Sequence, residues 1–369
     1  MRRFEYTAQP ARVVFGAGSL AQLGAEIGRL GARRALVLST PEQAHAAERV
    51  AALLGPLAAG IFPRAVMHVP IAVAREARAL ATELGADCCV AIGGGSTTGL
   101  AKAIALLGDS KSALLGDAAS PGLVVIAIPT TYAGSEVTPI YGITEDGAKK
   151  TGRDPRVLPR SVIYDPELTL GLPVDMSIAS GINAIAHAAE GLYAVDANPV
   201  MDLMAVEGMA ALARALPAIR ANPGDIGARS DALYGAWLCG TVLGNVGMAL
   251  HHKLCHTLGG SFDLPHAAVH TVVLPHALAY NAAAAPQAMR RIAAALGVGD
   301  GRASAAQAAY DLARDNGAAV ALKQIGMKEA DLDRACAIAL RSPYPNPRAL
   351  EREGIARLLR DAFEGVRPA

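Results

Sequence analysis

The run CCVAIGGGSTTGLAKAIAL, residues 88–106, passes from an apolar stretch through three glycines into a segment with helical spacing. Residues 88–93 read as a buried strand, because an apolar run this short is bounded at once by turn residues. Gly93, Gly94 and Gly95 allow a tight turn and a close approach of ligand to backbone. The amides that open the next helix, near Ser96 and Thr97, face any anion held there. Strand, glycine turn and helix in this order are the parts of a diphosphate cradle. Such turns are also glycine-rich for steric reasons alone, and the run contains neither GxGxxG nor a Walker lysine-serine pair.

The neighbouring sequence alternates in the same way. RVVFG (12–16), ALVLST (35–40) and LVVIAIP (123–129) read as further buried strands. Between them, SLAQLGAEIGRLG (19–31) and PIAVAREARALATELG (70–85) repeat apolar residues at helical spacing and stop at glycine. Strands alternating with helices imply a parallel, doubly wound, Rossmann-like sheet. SVIYD (161–165) is the last strand, and the prolines of PELTLGLP (166–173) bracket a connector. Beyond it the pattern is Ala-rich and helical, without strands, over 175–194, 199–220, 227–244, 247–259, 266–282, 284–296 and 303–324. The expected organisation is an α/β dinucleotide-binding domain over residues 1–165 and an all-α domain over 166–369. The charged stretch EDGAKKTGRDPRVLPR (145–160) joins the two domains in sequence and reads either as a solvated excursion or as a functional loop. Strict NAD preference would place an acidic residue at the end of the second strand, to bind a ribose 2′-hydroxyl. Ser39 and Thr40 stand there instead, so NADPH is expected to be accepted alongside NADH.

The 369 residues carry 34 basic and 33 acidic side chains, with no Lys/Arg cluster interleaved with aromatics, so nucleic acid is not an expected partner. No apolar run approaches the roughly 18 to 20 residues of a membrane span, and no membrane association is expected. The N-terminus, MRRFEYTAQPARVVFG, starts basic but breaks at Pro10 and has no apolar core or small-residue cleavage site, which argues against a secretory signal. A cytoplasmic location is expected. The five cysteines, two of them adjacent at 88 and 89, have no metal or disulfide spacing and read as buried thiols.

LHHKLCHTLGGSFDLPHAAVH (250–270) holds five of the nine histidines, in an apolar setting. His252 and His256 are four apart and share a helix face, and His266 follows after a Gly-Gly and an Asp-Leu-Pro turn. Asn183 and His187, in SGINAIAHAAE (180–190), repeat the same spacing. Taken singly, each histidine is more ordinarily a satisfied core or surface residue. Two helical pairs and a following histidine can converge between helices, where they serve as a metal site, a proton relay or a substrate clamp.

Together these motifs resemble the iron-containing (group III) alcohol dehydrogenase family. The resemblance covers nearly the whole chain, through VVFGAGSLAQLG (13–24), GGGS and AKAIA (93–96, 101–105), IPTT and GSEVT (128–131, 134–138), DPELTLGLP (165–173) and the histidine run ending LPH (274–276). Within the family the chain is most similar to the maleylacetate reductases. That likeness rests on GGGSTTGLAK (93–102), PTTYAGSEVTPIYGIT (129–144), KTGRDPRVLPR (150–160), HHKLCHTLGGSFDLPHAAVHTVVLPH (251–276) and PYPNPR (343–348).

The resemblance implies an N-terminal dinucleotide domain, a C-terminal helical domain and an active site in the cleft between them. It implies a homodimer that uses NADH or NADPH to reduce the 2-enone of maleylacetate, a small dicarboxylate, to 3-oxoadipate during the breakdown of aromatic compounds. It assigns Gly94, Gly95 and Ser96 to the diphosphate, Thr130, Thr131 and Ser135 to the nicotinamide side and Lys149 to the ribose. Gly99 stands where many relatives have Asp. The Asp and three His that bind Fe or Zn in metal-dependent relatives fall on Asn183, His187, His252 and His266, while His256 falls on a non-ligand active-site histidine. Asn183 is the departure: losing the carboxylate removes the strongest hard ligand, so no metal is expected, and any that binds should use those four positions. The four histidines are the expected catalytic residues, with His256 or His252 supplying the proton. Asn183 is expected to be substrate-binding, and Lys253 and Arg153, with Lys150 and Arg156, are either contacts of the substrate carboxylates or solvated surface residues. His251, His270 and His276 are expected to be structural. The competing readings are a metal-dependent alcohol dehydrogenase or aldehyde reductase and, from another class, a lyase resembling dehydroquinate synthase.

Overall fold

The computed structural model describes residues 3–9, 11–107, 123–146 and 148–369, the Ala148 side chain excepted. Met1, Arg2 and Pro10 of the N-terminal stretch and Gly147 of the charged stretch lie outside the described residues. The chain divides into two compact units, Ala8–Gly171 and Met1–Thr7 with Leu172–Ala369. The first continues past residue 165 because the carboxylate of Asp165 accepts hydrogen bonds from the amides of Gly18, Leu20 and Glu167, which binds the turn Pro166–Thr169 to the sheet side.

Among its described residues the first unit holds eight strands: β1 (Arg12–Phe15), β2 (Ala35–Leu38), β3 (Ala58–Phe62), β4 (Cys88–Gly93), β5 (Val124–Pro129), β6 (Ile140–Glu145), β7 (Ala148–Arg153) and β8 (Ser161–Tyr164). Six of them form one sheet, in the order β1-β8-β5-β4-β2-β3, with every pairing parallel. Its helices are α1 (Leu23–Arg29), α2 (Ala44–Leu54), α3 (Ile71–Glu83) and α4 (Gly95–Leu107). Cys88, Val90 and Ile92 of β4 join one apolar core with Val37 and Ile126. Cys89 and Ala91 join the other, with Leu36, Leu38 and Val125. Side chains alternate across a strand, so a strand buried on both faces carries no polar alternation, which is why these runs are continuously apolar.

The strand order places the glycine turn. From β2 the chain moves outward to β3 and then returns to β4 on the other side of β2. In open α/β sheets a ligand sits outside the carboxyl ends of the strands where the winding reverses. Here those ends carry Ser39–Thr40 and Gly93–Ser96.

Two elements differ from the sequence expectation. The stretch 145–160 is not a plain excursion, because β6 and β7 pair as an antiparallel hairpin that takes in its first part. Alternation across a two-stranded ribbon tolerates the many charges. β3, AAGIF, carries only one β-branched residue, Ile61, and its Gly60 lets Leu84 pack close, since a Cβ would come within 2.5 Å of Leu84 Cδ1.

The second unit is built from α5 (Val174–Gly191), α6 (Pro199–Ala221), α7 (Ile226–Asn245), α8 (Leu250–Phe262), α9 (His266–Asn281), α10 (Pro286–Ala295), α11 (Ala305–Asp315), α12 (Leu332–Ala339) and α13 (Arg352–Glu364). The helix expected over 303–324 stops at Asp315. There Asn316 Nδ2 donates to the Leu312 carbonyl at 2.8 Å, competing with the next turn. Leu254, Leu258, Val269, Val273, Ala335 and Leu359 make a core shared by α8, α9, α12 and α13. All five cysteines are buried and free. Among the described residues no single helix is long and apolar enough to cross a membrane.

Glu26 of α1 fastens that helix to the sheet edge. Its carboxylate accepts from Arg12 (3.0 Å), Arg29 (3.1 Å) and Ser161 (2.7 Å). Burial would raise its pKa, but the Ser161, Arg12 and Arg29 hydrogen bonds outweigh burial and lower it. A group whose folded pKa is depressed stabilises the fold above its unfolded value and loses that contribution as pH falls. Glu26→Gln is therefore expected to cost about 1–3 kcal/mol at pH 7. The gap to the parent protein should close as pH drops through the carboxylate range, which urea unfolding at several pH values will read.

Candidate active site

Gly93 ends β4 at φ +151°, where a Cβ would meet Thr97 Oγ1 at 2.5 Å and Gln43 Oε1 at 2.8 Å. At Gly94 a Cβ would press on Thr131 at 3.0 Å. The turn thus brings bare backbone up to the start of α4, whose first amides have no intrahelical acceptor. Gly95 is exposed and Ser96 half-buried at that helix start. These residues fit a diphosphate. Ser39 is buried, with its hydroxyl on the Thr40 carbonyl at 3.0 Å, and Thr40 precedes the turn Pro41–Gln43.

Thr130, Thr131 and Ser135 follow β5. The Thr130 amide donates to the Gly93 carbonyl at 3.0 Å, and its hydroxyl accepts from Gln43 Nε2 at 2.9 Å. Gln43, which the sequence reading did not single out, therefore ties the turn after β2 to the end of β5. Lys149 lies on β7 opposite Thr144, its stem across Gly142. Of the basic residues on the charged stretch, Lys150 pairs with Glu145 at 2.8 Å and Arg156 with Asp154. Arg153 ends β7 on the exposed surface of this first unit.

In the helical unit, α5, α8 and α9 bring six histidines into one cluster. Ring centroids are 5.0 Å apart for His187 and His252, 6.3 Å for His252 and His256, 5.1 Å for His252 and His270, and 4.4 Å for His266 and His270. His251 completes the set, 4.9 Å from His270. His187 and His252 are buried, His266 is half-buried and His256 is exposed. Asn183, one turn before His187, is buried, with Oδ1 lacking a partner among the described residues. Lys253 is half-buried, its ammonium 5.7 Å from the Tyr344 ring.

Glu190 organises the cluster, and the sequence reading passed over it. It is fully buried on α5, three residues beyond His187 and so on the same face. Its carboxylate accepts from the amides of Ala249 (2.9 Å), His251 (2.8 Å) and His252 (3.3 Å), and from His252 Nδ1 (2.7 Å). Burial alone would raise its pKa; the His252 hydrogen bond and charge overcome this and bring it down to about 2. His252 Nε2 then meets His187 Nδ1 at 2.8 Å. Beneath them His251 Nε2 faces His270 Nδ1 at 3.0 Å. Burial and the nearby His252 pull His251 down to about 3, and burial pulls His270 well below the usual range, so both are neutral at pH 7.

Two imidazole nitrogens bound to one tetrahedral ion stand about 3.3 Å apart. The 2.8 Å approach of His187 to His252 is instead a hydrogen bond with one proton between the rings. Among the described residues, the trio whose donor atoms lie mutually within 4.8 Å is His251, Cys255 and His270. The residues at the implied metal positions, Asn183, His187, His252 and His266, therefore do not fit an ion as they stand.

Two expectations follow. Gly93→Ala should weaken NADH binding by about tenfold or more, read by fluorescence titration; unchanged affinity would make the turn a chain reversal only. Glu190→Ala strands three amides and an imidazole and should cost about 3–5 kcal/mol of stability, read by urea unfolding, while Glu190→Gln retains more of it.

Comparison with known proteins shows the family and the fold. Residues 10–166 match the family described as iron-containing alcohol dehydrogenase, and residues 177–363 match the C-terminal family of the Fe-containing alcohol dehydrogenases. The chain is 61% identical to a maleylacetate reductase of Burkholderia cepacia over 100% of both chains. It superimposes on the crystal structure of maleylacetate reductase from Agrobacterium tumefaciens with a TM-score of 0.92, at 55% identity over 100% of both chains. The maleylacetate reductase of Rhizobium sp. strain MTP-10005 gives a TM-score of 0.92 at 54% identity, again over 100% of both chains. A nucleotide cradle on a doubly wound sheet, followed by a helical histidine cluster and matched from end to end, makes this chain a member of the iron-containing alcohol dehydrogenase family.

Proposed function

We propose that this oxidoreductase is a maleylacetate reductase that works without a metal ion. The observation that carries the reading is the line Glu190–His252–His187, closed by hydrogen bonds of 2.7 and 2.8 Å beside an uncharged Asn183. Identity of 51–61% to maleylacetate reductases over essentially the full chain supports it.

Maleylacetate is an enone with two carboxylates. A bound nicotinamide supplies the hydride, which adds to the alkene carbon β to the ketone. The electron pair moves to the ketone oxygen, and one proton then adds to the carbon next to that ketone, giving 3-oxoadipate. What the chain must provide is a positive, donor-rich wall for the dianion and the enolate oxygen, and a proton. Glu190 fixes the His252 ring so that its Nε2 faces His187. A proton on that line is held between two imidazoles and backed by a carboxylate. Asn183 in place of an acid removes one negative charge that would repel the substrate, while the charge of Glu190 is taken up by the amides of α8 and by His252. His256 and His266 flank the line on the more open side of the cluster and complete the donor wall, with Lys253 as the cation for a substrate carboxylate. With Ser39 and Thr40 in place of an acid at the end of β2, both NADH and NADPH are used.

The test is NADH oxidation with freshly generated maleylacetate, with and without a chelator, set against simple aldehydes. Fast, chelator-insensitive turnover confined to maleylacetate is expected. Asn183→Asp should lower kcat/KM for maleylacetate by about tenfold or more. Chelator-sensitive reduction of aldehydes would instead mean a metal-dependent alcohol dehydrogenase, and maleylacetate-independent chemistry without net NADH loss would mean a lyase.

A further inference from the structure

We propose that Lys102 is the positioning residue for the nicotinamide side of the cofactor cradle, holding residues 135–140 at a set distance from the diphosphate end of α4. The inference rests on the reading that the segment from Thr130 to Ser135 meets the nicotinamide.

Lys102 belongs to the AKAIA segment of α4 and is fully buried. Its Nζ lies 2.6 Å from the Ser135 carbonyl oxygen, 2.8 Å from that of Thr138 and 2.8 Å from that of Ile140. The hydroxyls of Thr138 and Ser135 stand at 3.0 and 3.3 Å. An ammonium has three protons to donate, and three carbonyls take them all. Three carbonyls from a six-residue segment, all turned on one point, bend that segment into a cup around the cation. Glu136 lies within the cup, buried, and supplies the opposite charge while accepting from Tyr164 of β8 at 2.7 Å. Burial lowers Lys102 and raises Glu136, and each partly restores the other's charge.

The same ammonium therefore joins three elements: α4, which opens with the diphosphate turn, the 3-10 turn Ser135–Val137, and the start of β6. Ser135 is half-buried and uses its carbonyl on Lys102, which fixes where its hydroxyl stands. An apolar side chain of similar length would take from the Thr138 and Ile140 carbonyls the donor that Lys102 gives them and leave the Ser135 carbonyl only the amide and hydroxyl of Thr138, and the segment would have to move to find water. Arginine offers a planar fork where the carbonyls surround a tetrahedral donor, so it is not an equivalent substitute.

A residue that merely stabilises the fold would weaken all cofactor binding alike, whereas a positioning residue should discriminate between parts of the cofactor. The experiment compares NADH with ADP-ribose, which keeps the diphosphate and lacks the nicotinamide, by calorimetric titration of the full-length protein. In Lys102→Met, NADH affinity is expected to fall by about tenfold or more and ADP-ribose affinity by less than about threefold, with kcat for NADH oxidation reduced as well. Lys102→Arg, which keeps a cation and serves if the Met variant does not fold, should show the same split in smaller degree. Equal losses for both ligands, or no loss for either, in the folded variants would overturn the inference. Thr131→Ala and Ser135→Ala separate the two levels of the argument. If they leave NADH and ADP-ribose equally bound, the nicotinamide reading fails. If they show the split while the Lys102 variants do not, only the role of Lys102 fails.

Discussion

A carboxylate withdrawn from water has to be met by donors, and Glu190 is met by three main-chain amides, one imidazole and, at 3.5 Å, the Tyr193 hydroxyl. Those amides belong to the start of α8, where they have no acceptor within the helix and where negative charge is favoured. A side chain of α5 thus caps a different helix. With α8 held in that way, His251 and His252 are set side by side, and the His252 ring can point only toward His187. Asn183, His187 and Glu190 lie on one face of α5, so a single helix supplies the anchor, the second imidazole and the uncharged amide. The histidine cluster follows from where this one buried charge must find its partners.

The sheet unit uses the complementary device. Lys102 is a buried cation satisfied by carbonyls, as Glu190 is a buried anion satisfied by amides. In both places the ion gathers main chain that has no regular partner and gives it a defined course. Buried ions are costly in water-free surroundings and are tolerated when every lone pair or proton is used. Here they sit beside the segments proposed to carry the chemistry, where a fixed backbone matters more than maximal stability.

Most of the architecture was legible because burial on both faces of a parallel sheet leaves continuous apolar runs, and because glycines mark their ends. β3 was not, since Ile61 is its one β-branched residue and Gly60, packed under Leu84, interrupts the apolar run. The hairpin was hidden by its charges, which a two-stranded ribbon can display to solvent. In the site, histidines at four-residue spacing announced their shared helix faces, and the glycine turn announced its strand-to-helix setting. Glu190 did not stand out, because one acid at the end of an Ala-rich helix looks like a surface residue until α8 is seen beginning against it. Its spacing from His187 was the available signal. Gln43 and Lys102 were beyond reach for a related reason: their partners are far away in sequence, at Thr130 and at 135–140, and nothing in local composition encodes that pairing.

The buried thiols bear on chemical durability. A conjugated ketone of the kind proposed as substrate is itself an electrophile, and a thiolate is the protein group that adds to it most readily. Cys88, Cys89, Cys239, Cys255 and Cys336 are all enclosed. Burial drives each thiol pKa upward, Cys89 to about 12, so that they stay protonated as well as out of reach. Cys255 lies within 3.6 Å of a histidine of the cluster, yet no cation there draws off its proton, since His251 is held neutral. A catalyst that handles an electrophile in every turnover in this way keeps its most reactive side chains, the thiols, away from it.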